Sequence, residues 1–296
     1  MSLKITKIET IQLPEHPHLL WVQVHTDEGI VGTGETTPRV SAARRVIHDT
    51  LADLLIGRDP LQIERLWRDM YQAVHYHGHA GSELRALSAV DVALWDILAQ
   101  AAGLPLYQVL GGACRTRIPV YNTCVTYGNV NDREAFLAAP EELADSLLAD
   151  GIAAMKIWPF DEASVPRMGQ SISDEDLRRG VDVVERITKR AEGRLAVAIE
   201  GHACWNLPSA VKIARALEPY GVMFLEDMIA ADGYRALAEL RSRTTIPICG
   251  SERLFGRAEF LSLLNHQAVD IVMPDILWTG GITEARKIAA IADTFQ

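Results

Sequence analysis

The sequence predicts an α+β domain over residues 1–117, followed by a parallel α/β barrel over residues 118–296. The first prediction depends on an alternating apolar pattern that changes to helical periodicity. The second depends on short apolar runs that alternate with amphipathic helical stretches, as in repeated βα units. A third observation, a glutamate at the end of three successive predicted strands, favours a barrel over other parallel sheets.

In the first domain, apolar and polar residues alternate over three segments, which predicts an antiparallel meander. Asp27, Glu28 and Gly29 form a turn signal between its second and third strands. Three helical stretches follow, and Gly103 is placed to cap the last of them. The predicted strands are residues 4–13, 19–26 and 30–35, and the predicted helices are residues 40–56, 60–75 and 83–102.

The second domain begins after a boundary marked by Gly111, Gly112 and Pro119. Its apolar runs are nearly continuous, which is typical of parallel strands buried on both faces. The predicted strands are residues 118–123, 153–157, 195–199, 222–225, 246–249 and 269–273. The helical stretches between and after them include residues 174–190, 208–217, 258–264 and 282–292.

Charged side chains end the predicted strands of the second domain. Glu200, Glu226 and Glu252 each end a strand and lie 26 residues apart, the length of one βα unit. Asp275 ends the next strand, and Lys156 ends the strand before Glu200. A (β/α)8 barrel builds its active site at these carboxyl ends, whereas a doubly wound sheet usually has a glycine-rich loop at one switch point. The chain lacks both common nucleotide-binding glycine motifs, so we favour the barrel.

The three glutamates predict a metal site. Carboxylates that converge on one point repel one another unless a cation lies between them. Oxygen ligands without thiolates favour Mg²⁺, which keeps coordination positions for water and substrate. We therefore expect Glu200, Glu226 and Glu252 to bind Mg²⁺. The alternative is that each glutamate is a surface residue at the start of a loop.

The composition excludes several classes of protein. With 48% hydrophobic and 23% charged residues the chain is expected to fold rather than remain disordered. A net charge of −10 argues against general binding to nucleic acid. No apolar run reaches the ~18 residues that a membrane helix needs, and the first residues lack the apolar core of a signal peptide. We therefore expect a cytoplasmic protein without membrane or nucleic-acid partners.

Motifs along the chain resemble the enolase superfamily and, within it, the mandelate racemase subgroup. They are Gly32-x-Gly34-Glu35, Asp91-x-Ala-Leu-Trp-Asp96, Leu110-Gly111-Gly112, Phe224-Leu-Glu226-Asp, Gly250-Ser-Glu252, Pro274-Asp275 and Gly280-Gly281-Ile-Thr-Glu-Ala. The resemblance covers essentially the whole chain. It implies an α+β capping domain followed by a modified (β/α)7β barrel of TIM type. The implied chemistry is Mg²⁺-assisted removal of the proton next to a substrate carboxylate.

Two departures from the family pattern narrow the reaction. Many relatives end the second strand with Lys-x-Lys, where the second lysine is a base, but this chain has Lys156-Ile157-Trp158. Trp158 takes the place of that base and cannot accept a proton, which disfavours a two-base racemase. We expect Trp158 to contact the substrate instead. Lys156 remains as a cation for the substrate carboxylate, or as a structural partner of a ligand glutamate.

The third strand ends with Glu200-Gly201-His202, where relatives often show Asp-x-Asn. The first and third side chains share a strand face, so His202 is expected beside the metal. A histidine with its pKa near ~6.5 is a natural proton donor. This arrangement resembles the sugar-acid dehydratases of the subgroup, in which the histidine acts as general acid on the departing 3-hydroxyl. The alternative is that His202 only donates hydrogen bonds to substrate or to a metal ligand.

Asp275 resembles the aspartate that orients a histidine base on the following strand. Residues 118–296 hold six predicted strands, whereas a full barrel takes ~250 residues. We therefore expect the sequence to be a fragment of a longer protein, or a partner to close the barrel, with the base beyond Gln296.

Histidines in the first domain are candidates for substrate contacts. His75 and His77 belong to a His-x-His-x-His run that predicts a loop over the barrel mouth, and His16 lies in a second such loop at residues 14–20. Alternate histidines without further ligands are a weak signal for zinc.

Together these observations predict a Mg²⁺-dependent dehydratase that converts a small sugar acid to a 2-keto-3-deoxy acid, in a homo-oligomer. The alternatives are an epimerase, racemase or cycloisomerase of the same superfamily, and a non-catalytic, metal-stabilised ligand-binding protein.

Overall fold

The computed structural model describes residues 3–295. The chain divides into two compact units. The first contains the chain up to Thr116, residues 252–261 and the residues from Pro274 onward. The second contains Arg117–Ser251 and Ser262–Met273. The predicted boundary after residue 117 lies next to the end of the first long stretch, and two later segments join the first unit as well.

The first unit begins with an antiparallel meander of three strands in sequence order. The strands are β1 (Ile5–Ile11), β2 (Leu20–Thr26) and β3 (Val31–Thr36). Leu20, Val22 and Val24 are fully buried on one face of β2, and the residues between them are partly exposed. The alternation read from the sequence is therefore confirmed, as is the turn before β3.

Helices cover the meander on its buried side. They are α1 (Val40–Val46), α2 (Ala52–Leu55), α3 (Ile63–Val74), α4 (Ser82–Ala102) and α5 (Leu106–Val109), with a π-helical turn at Ile47–Leu51. Most of α4 is buried, and Gly103 caps it with a left-handed φ of 65°. A Cβ on Gly34 would lie 1.9 Å from the carbonyl oxygen of Ala89. The Gly-x-Gly motif thus permits a close approach of β3 to α4.

The second unit contains a six-stranded parallel sheet and a two-stranded hairpin. The strands are β4 (Asn122–Thr123), β5 (Thr126–Tyr127), β6 (Val130–Asn131), β7 (Ala154–Ile157), β8 (Ala196–Glu200), β9 (Leu225–Glu226), β10 (Ile248–Gly250) and β11 (Ile271–Val272). The sheet order is β4-β7-β8-β9-β10-β11, with β5 and β6 forming the hairpin. Because the order in the sheet follows the order in the chain, these strands have no switch point, as expected for barrel topology.

The remaining helices follow the hairpin and the strands. They are α6 (Asp132–Ala138), α7 (Pro140–Ala149), α8 (Asp161–Ser164), α9 (Asp174–Ala191), α10 (Leu207–Leu217), α11 (Tyr234–Ser242), α12 (Gly256–Asn265) and α13 (Gly281–Ala292). The predicted helices at 174–190, 208–217, 258–264 and 282–292 are confirmed within two residues at each end. Within residues 3–295, no helix is both long enough and apolar enough to cross a membrane.

The first predicted strand of the barrel is shorter than expected. Residues 118–123 read as an apolar run, but only Asn122 and Thr123 pair with β7. Ile118 and Val120 are 77% and 69% exposed. Because these two side chains are exposed to solvent instead of packing against a buried surface, their β-branched character does not extend the strand.

Candidate active site

A buried lysine and two glutamates meet at the carboxyl ends of adjacent strands. Glu200 and Glu226 are the last residues of β8 and β9 and are paired in the sheet register. Lys156 lies on the neighbouring β7. Its Nζ donates to Oε2 of Glu226 at 2.6 Å and to Oε2 of Glu200 at 3.1 Å. The three side chains are only 0–7% exposed. The strand-end placement predicted for them is therefore confirmed.

Burial and charge oppose each other in this cluster. Burial alone would lower the pKa of Lys156, but the charges of Glu200 and Glu226 outweigh it and raise that pKa. Burial also raises the pKa of Glu226, and the adjacent Glu200 adds to the effect, while Lys156 acts against it. One ammonium thus only partly compensates two buried carboxylates.

The oxygen atoms of the cluster fit a hard divalent cation. Oε1 of Glu226 is buried and has no hydrogen-bond partner among residues 3–295. An acceptor left unpaired in a low-dielectric environment is costly unless a cation or a donor satisfies it. All the available ligand atoms are carboxylate oxygens, the type that Mg²⁺ prefers. The described part of the chain holds no group of three or more His, Cys, Asp or Glu side chains arranged to hold a metal.

The third predicted ligand, Glu252, belongs to the first unit. There it shares the neighbourhood of the Arg85 guanidinium with Asp275, since both carboxylates favour the charged form of Arg85. Arg85 stacks over Trp278 with 4.3 Å between its Cζ and the ring centroid. The set of three glutamates therefore stays a prediction, with Glu200 and Glu226 adjacent.

His202 lies directly beside the cluster. The preceding Gly201 has no room for a side chain, because a Cβ there would lie 2.7 Å from Cα of Met228. His202 has a positive φ of 46°, and its backbone N–H donates to Oε1 of Glu200 at 2.8 Å. The chain thus turns at the end of β8 and holds the backbone of His202 against one of the two carboxylates. Because His202 lies beyond the strand, the shared strand face does not determine its direction, and its position beside a metal stays a prediction.

Asp161 is a member of the site that sequence reasoning missed. It is the first residue of the short α8, and its Oδ2 lies 2.6 Å from Nδ1 of His202. The only signal in the sequence is an acidic residue soon after the strand that carries Lys156, and such residues are common in loops.

Trp158 follows β7 and packs edge-on against the His202 ring, with 5.4 Å between centroids and an interplanar angle of 77°. Its other contact is Phe136, also edge-on at 5.4 Å. The indole therefore packs against the His202 ring, and its replacement of the second lysine of the family stays a prediction. Its contact with substrate stays a prediction.

Asp275 accepts a hydrogen bond at Oδ1 from the backbone N–H of Leu277, two residues later in the chain, at 2.7 Å. Burial raises the pKa of Asp275, while this hydrogen bond and Arg85 act in the opposite direction. The histidine that Asp275 is expected to orient stays a prediction.

The candidate histidines of the first unit make local contacts. His16 packs edge-on against Trp21 at 6.2 Å. His75 stacks on Tyr71 at 5.3 Å, and His77 lies edge-on to the exposed Tyr76. Their predicted role in substrate binding is not tested by these contacts.

Comparison with known proteins tests the resemblance to the enolase superfamily. Residues 8–111 match the model of the mandelate racemase/muconate lactonizing enzyme N-terminal domain, and residues 139–296 match that of the enolase C-terminal domain-like family. D-galactonate dehydratase from Pectobacterium atrosepticum is 33% identical over 99% of this chain and 73% of its own length. The enzyme of the same name from Ralstonia nicotianae is 32% identical over the same shares.

A crystal structure with a similar fold describes an enolase of the mandelate racemase subgroup from Agrobacterium tumefaciens, with a succinimide residue, sodium and phosphate. It is 43% identical, with a TM-score of 0.89, and the match covers 99% of this chain and 76% of that one. The predicted resemblance is thus confirmed by sequence and by fold. The chain belongs to the mandelate racemase/muconate lactonizing enzyme family of the enolase superfamily.

Proposed function

We propose that this protein is a Mg²⁺-dependent dehydratase of a sugar acid. It removes the proton at C2 and eliminates the hydroxyl at C3, and the resulting enol becomes a 2-keto-3-deoxy acid. The observation that carries the proposal is the histidine beside paired strand-end glutamates, since an acid next to a candidate metal site is what elimination of a hydroxyl requires. The D-galactonate dehydratases among the relatives support the same class of reaction.

Glu200, Glu226 and Glu252 are the residues proposed to hold Mg²⁺. The bound ion would withdraw charge from the substrate carboxylate and so acidify the C2 proton. Lys156 holds Glu200 and Glu226 in position, because its Nζ donates to both. Its charge also favours the approach of an anionic substrate.

Two proton transfers to and from histidines carry out the elimination, and the enol that results then forms the ketone. A histidine oriented by Asp275, as the family resemblance implies, accepts the C2 proton as that C–H bond breaks. His202 gives its proton to the C3 hydroxyl as that C–O bond breaks, so that water leaves. The enol then takes up a proton at C3 and becomes the ketone, and the net change is the loss of one water molecule.

Trp158 favours dehydration over racemisation or epimerisation. Inverting a carbon centre needs a base on each face, and the indole offers no basic nitrogen at the position where relatives carry the second lysine. It can still exclude water from one side of the His202 ring.

The experiment is a screen of the full-length protein with aldonates and aldarates, including D-galactonate, in the presence of Mg²⁺. We expect a 2-keto acid to form from one stereochemical class of substrate and none with Glu226→Gln. Exchange of the C2 proton for deuterium without a keto product would indicate an epimerase or racemase instead. Binding of sugar acids with neither exchange nor product would indicate a ligand-binding protein.

A further inference from the structure

The contact between Asp161 and His202 is one that the proposed reaction has not yet used. Oδ2 of Asp161 lies 2.6 Å from Nδ1 of His202, in a contact between residues 41 positions apart in the chain. The Asp161 side chain is 21% exposed, and its Oδ1 is buried without a hydrogen-bond partner in the described part of the chain. Among residues 3–295, the imidazole of His202 is thus the protein group that binds this carboxylate.

This contact determines what Nδ1 of His202 does: it is the nitrogen that donates to Asp161. An ionised carboxylate only accepts hydrogen bonds, so Nδ1 must donate to Asp161. The other nitrogen, Nε2, lies on the opposite side of the ring and is directed away from the carboxylate. Asp161 thus keeps a proton on Nδ1 and holds the ring in one orientation, as the buried carboxylate does for the imidazolium of a catalytic triad. The proton that the general acid donates is then the one on Nε2.

Other contacts keep the two partners in place. The His202 backbone is held by its N–H bond to Glu200, and the ring packs against the edge of Trp158. The Asp161 backbone is held as well: the Ser164 hydroxyl donates to its carbonyl oxygen at 2.7 Å, which joins the last residue of the short helix α8 to the first. Both side chains are therefore carried by backbone that is itself fixed.

We propose that Asp161 is a positioning residue for the leaving-group step, which it serves by accepting a hydrogen bond from Nδ1–H of His202, so that the protonated ring presents Nε2–H to the substrate. This inference rests on the proposed dehydratase function for its catalytic consequence. It adds a second aspartate–histidine pair, distinct from the one that the resemblance assigns to Asp275.

The kinetic test compares Asp161→Asn, Asp161→Glu and Glu162→Gln in the full-length protein. Asparagine keeps the shape but is uncharged, and its amide can donate to Nδ1, so the protonated ring loses the carboxylate that accepts from Nδ1–H. General acid catalysis contributes ~10²–10⁴-fold, so we expect kcat for dehydration to fall by about 10²-fold with little change in KM. Exchange at C2 should persist, because another group removes that proton. Asp161→Glu keeps the carboxylate and should retain more activity than Asp161→Asn.

Glu162 provides the matched control. It is the adjacent carboxylate, 76% exposed, and it pairs with Arg133 rather than with the histidine. Glu162→Gln should leave kcat unchanged. Wild-type kcat in Asp161→Asn, an equal loss in Glu162→Gln, or a loss of C2 exchange as large as the loss of dehydration would each overturn the inference.

A second measurement does not depend on activity. Spectra of ¹⁵N-histidine-labelled protein, recorded at a pH where the imidazoles are neutral, report the tautomer of each ring, and the His202→Asn spectrum identifies the signals of His202. We expect the Nδ1–H tautomer in the wild type and in Asp161→Glu, and the Nε2–H tautomer in Asp161→Asn. An unchanged tautomer in Asp161→Asn would refute the pairing. If no sugar acid is dehydrated, the proposed function fails, and the spectra still decide whether Asp161 positions His202.

Discussion

Asp91 gives the fold a pH dependence that can be measured. Its fully buried side chain on α4 accepts hydrogen bonds from the backbone N–H and the hydroxyl of Thr283, at 2.9 and 2.6 Å. Burial raises the pKa of Asp91 from 3.8 to about 7, although the hydrogen bonds from Thr283 act in the opposite direction. Both residues lie within the first unit.

The sign of the effect follows from the protons bound in each state. In the folded protein the carboxyl keeps its proton to higher pH than in the unfolded chain. Its contribution to stability is therefore complete below pH 3.8 and is lost as the pH rises through about 7. At ~1.4 kcal/mol for each pH unit the total loss is roughly 4 kcal/mol, of which about 3 kcal/mol falls between pH ~5 and ~8.

The perturbation is Asp91→Asn, which keeps the shape of the side chain and cannot ionise. Urea unfolding of both proteins is followed by circular dichroism from pH ~5 to ~8. The free energy of unfolding of the variant minus that of the wild type should rise by about 3 kcal/mol over this range. Thr283→Val is the control: it removes one hydrogen-bond donor but keeps the carboxyl, so the pH dependence should remain. A difference between Asp91→Asn and wild type that stays constant with pH would refute the reasoning.

Three further predictions concern the metal site, the general acid and the packing of β3. Adding Mg²⁺ after chelation should stabilise the folded protein by about 2.7 kcal/mol when its concentration is ~100 times Kd, and so raise the melting temperature. In a thermal-shift titration, Glu226→Gln should abolish this increase. His202→Asn should abolish keto-acid formation and retain C2 exchange with deuterium, so full dehydratase activity in that variant would contradict the assigned role. Gly34→Ala should prevent stable folding or cost more than ~3 kcal/mol in urea unfolding, because its Cβ would meet the Ala89 carbonyl. Gly29→Ala, where nothing lies within 4 Å of a Cβ, should cost ~1 kcal/mol from its φ of +80° alone.

The secondary structure could be predicted wherever one face of an element is buried. The alternation in β2 and the helical period of α4 record which side of each element faces apolar surroundings. Ile118 and Val120 show where this reasoning ends, because their apolar character suggests a strand while the fold leaves them exposed. The local pattern shows that a residue is suited to burial, but whether it is buried depends on the elements that pack beside it.

The glutamates of the candidate site could be predicted from their spacing. A repeat of one βα unit brings strand-end residues to the same edge of a parallel sheet, and Glu200 and Glu226 are paired there in register. For Lys156 the sequence left two roles open: a cation for the substrate carboxylate, or a structural partner of a ligand glutamate. Its double hydrogen bond could therefore be expected only as one of two alternatives. Its direction depends on side-chain rotamers and on the charge balance of the buried cluster, which spacing along the chain does not contain.

By itself, the sequence determined the order of the meander strands, the parallel strands and the longer helices, the strand-end glutamates and the histidine two residues after the first of them. These features follow from short-range periodicities, which physical chemistry imposes on any chain that buries one face of its elements. The hairpin of β5 and β6 and the short helices α5 and α8 were not predicted. Only the tertiary structure decided that Asp161, at the start of α8 after another strand, reaches Nδ1 of His202. That contact joins residues 41 positions apart, and its formation depends on how α8 packs beside the end of β8. No local pattern encodes such packing, because many loop aspartates share the same sequence surroundings without meeting a histidine.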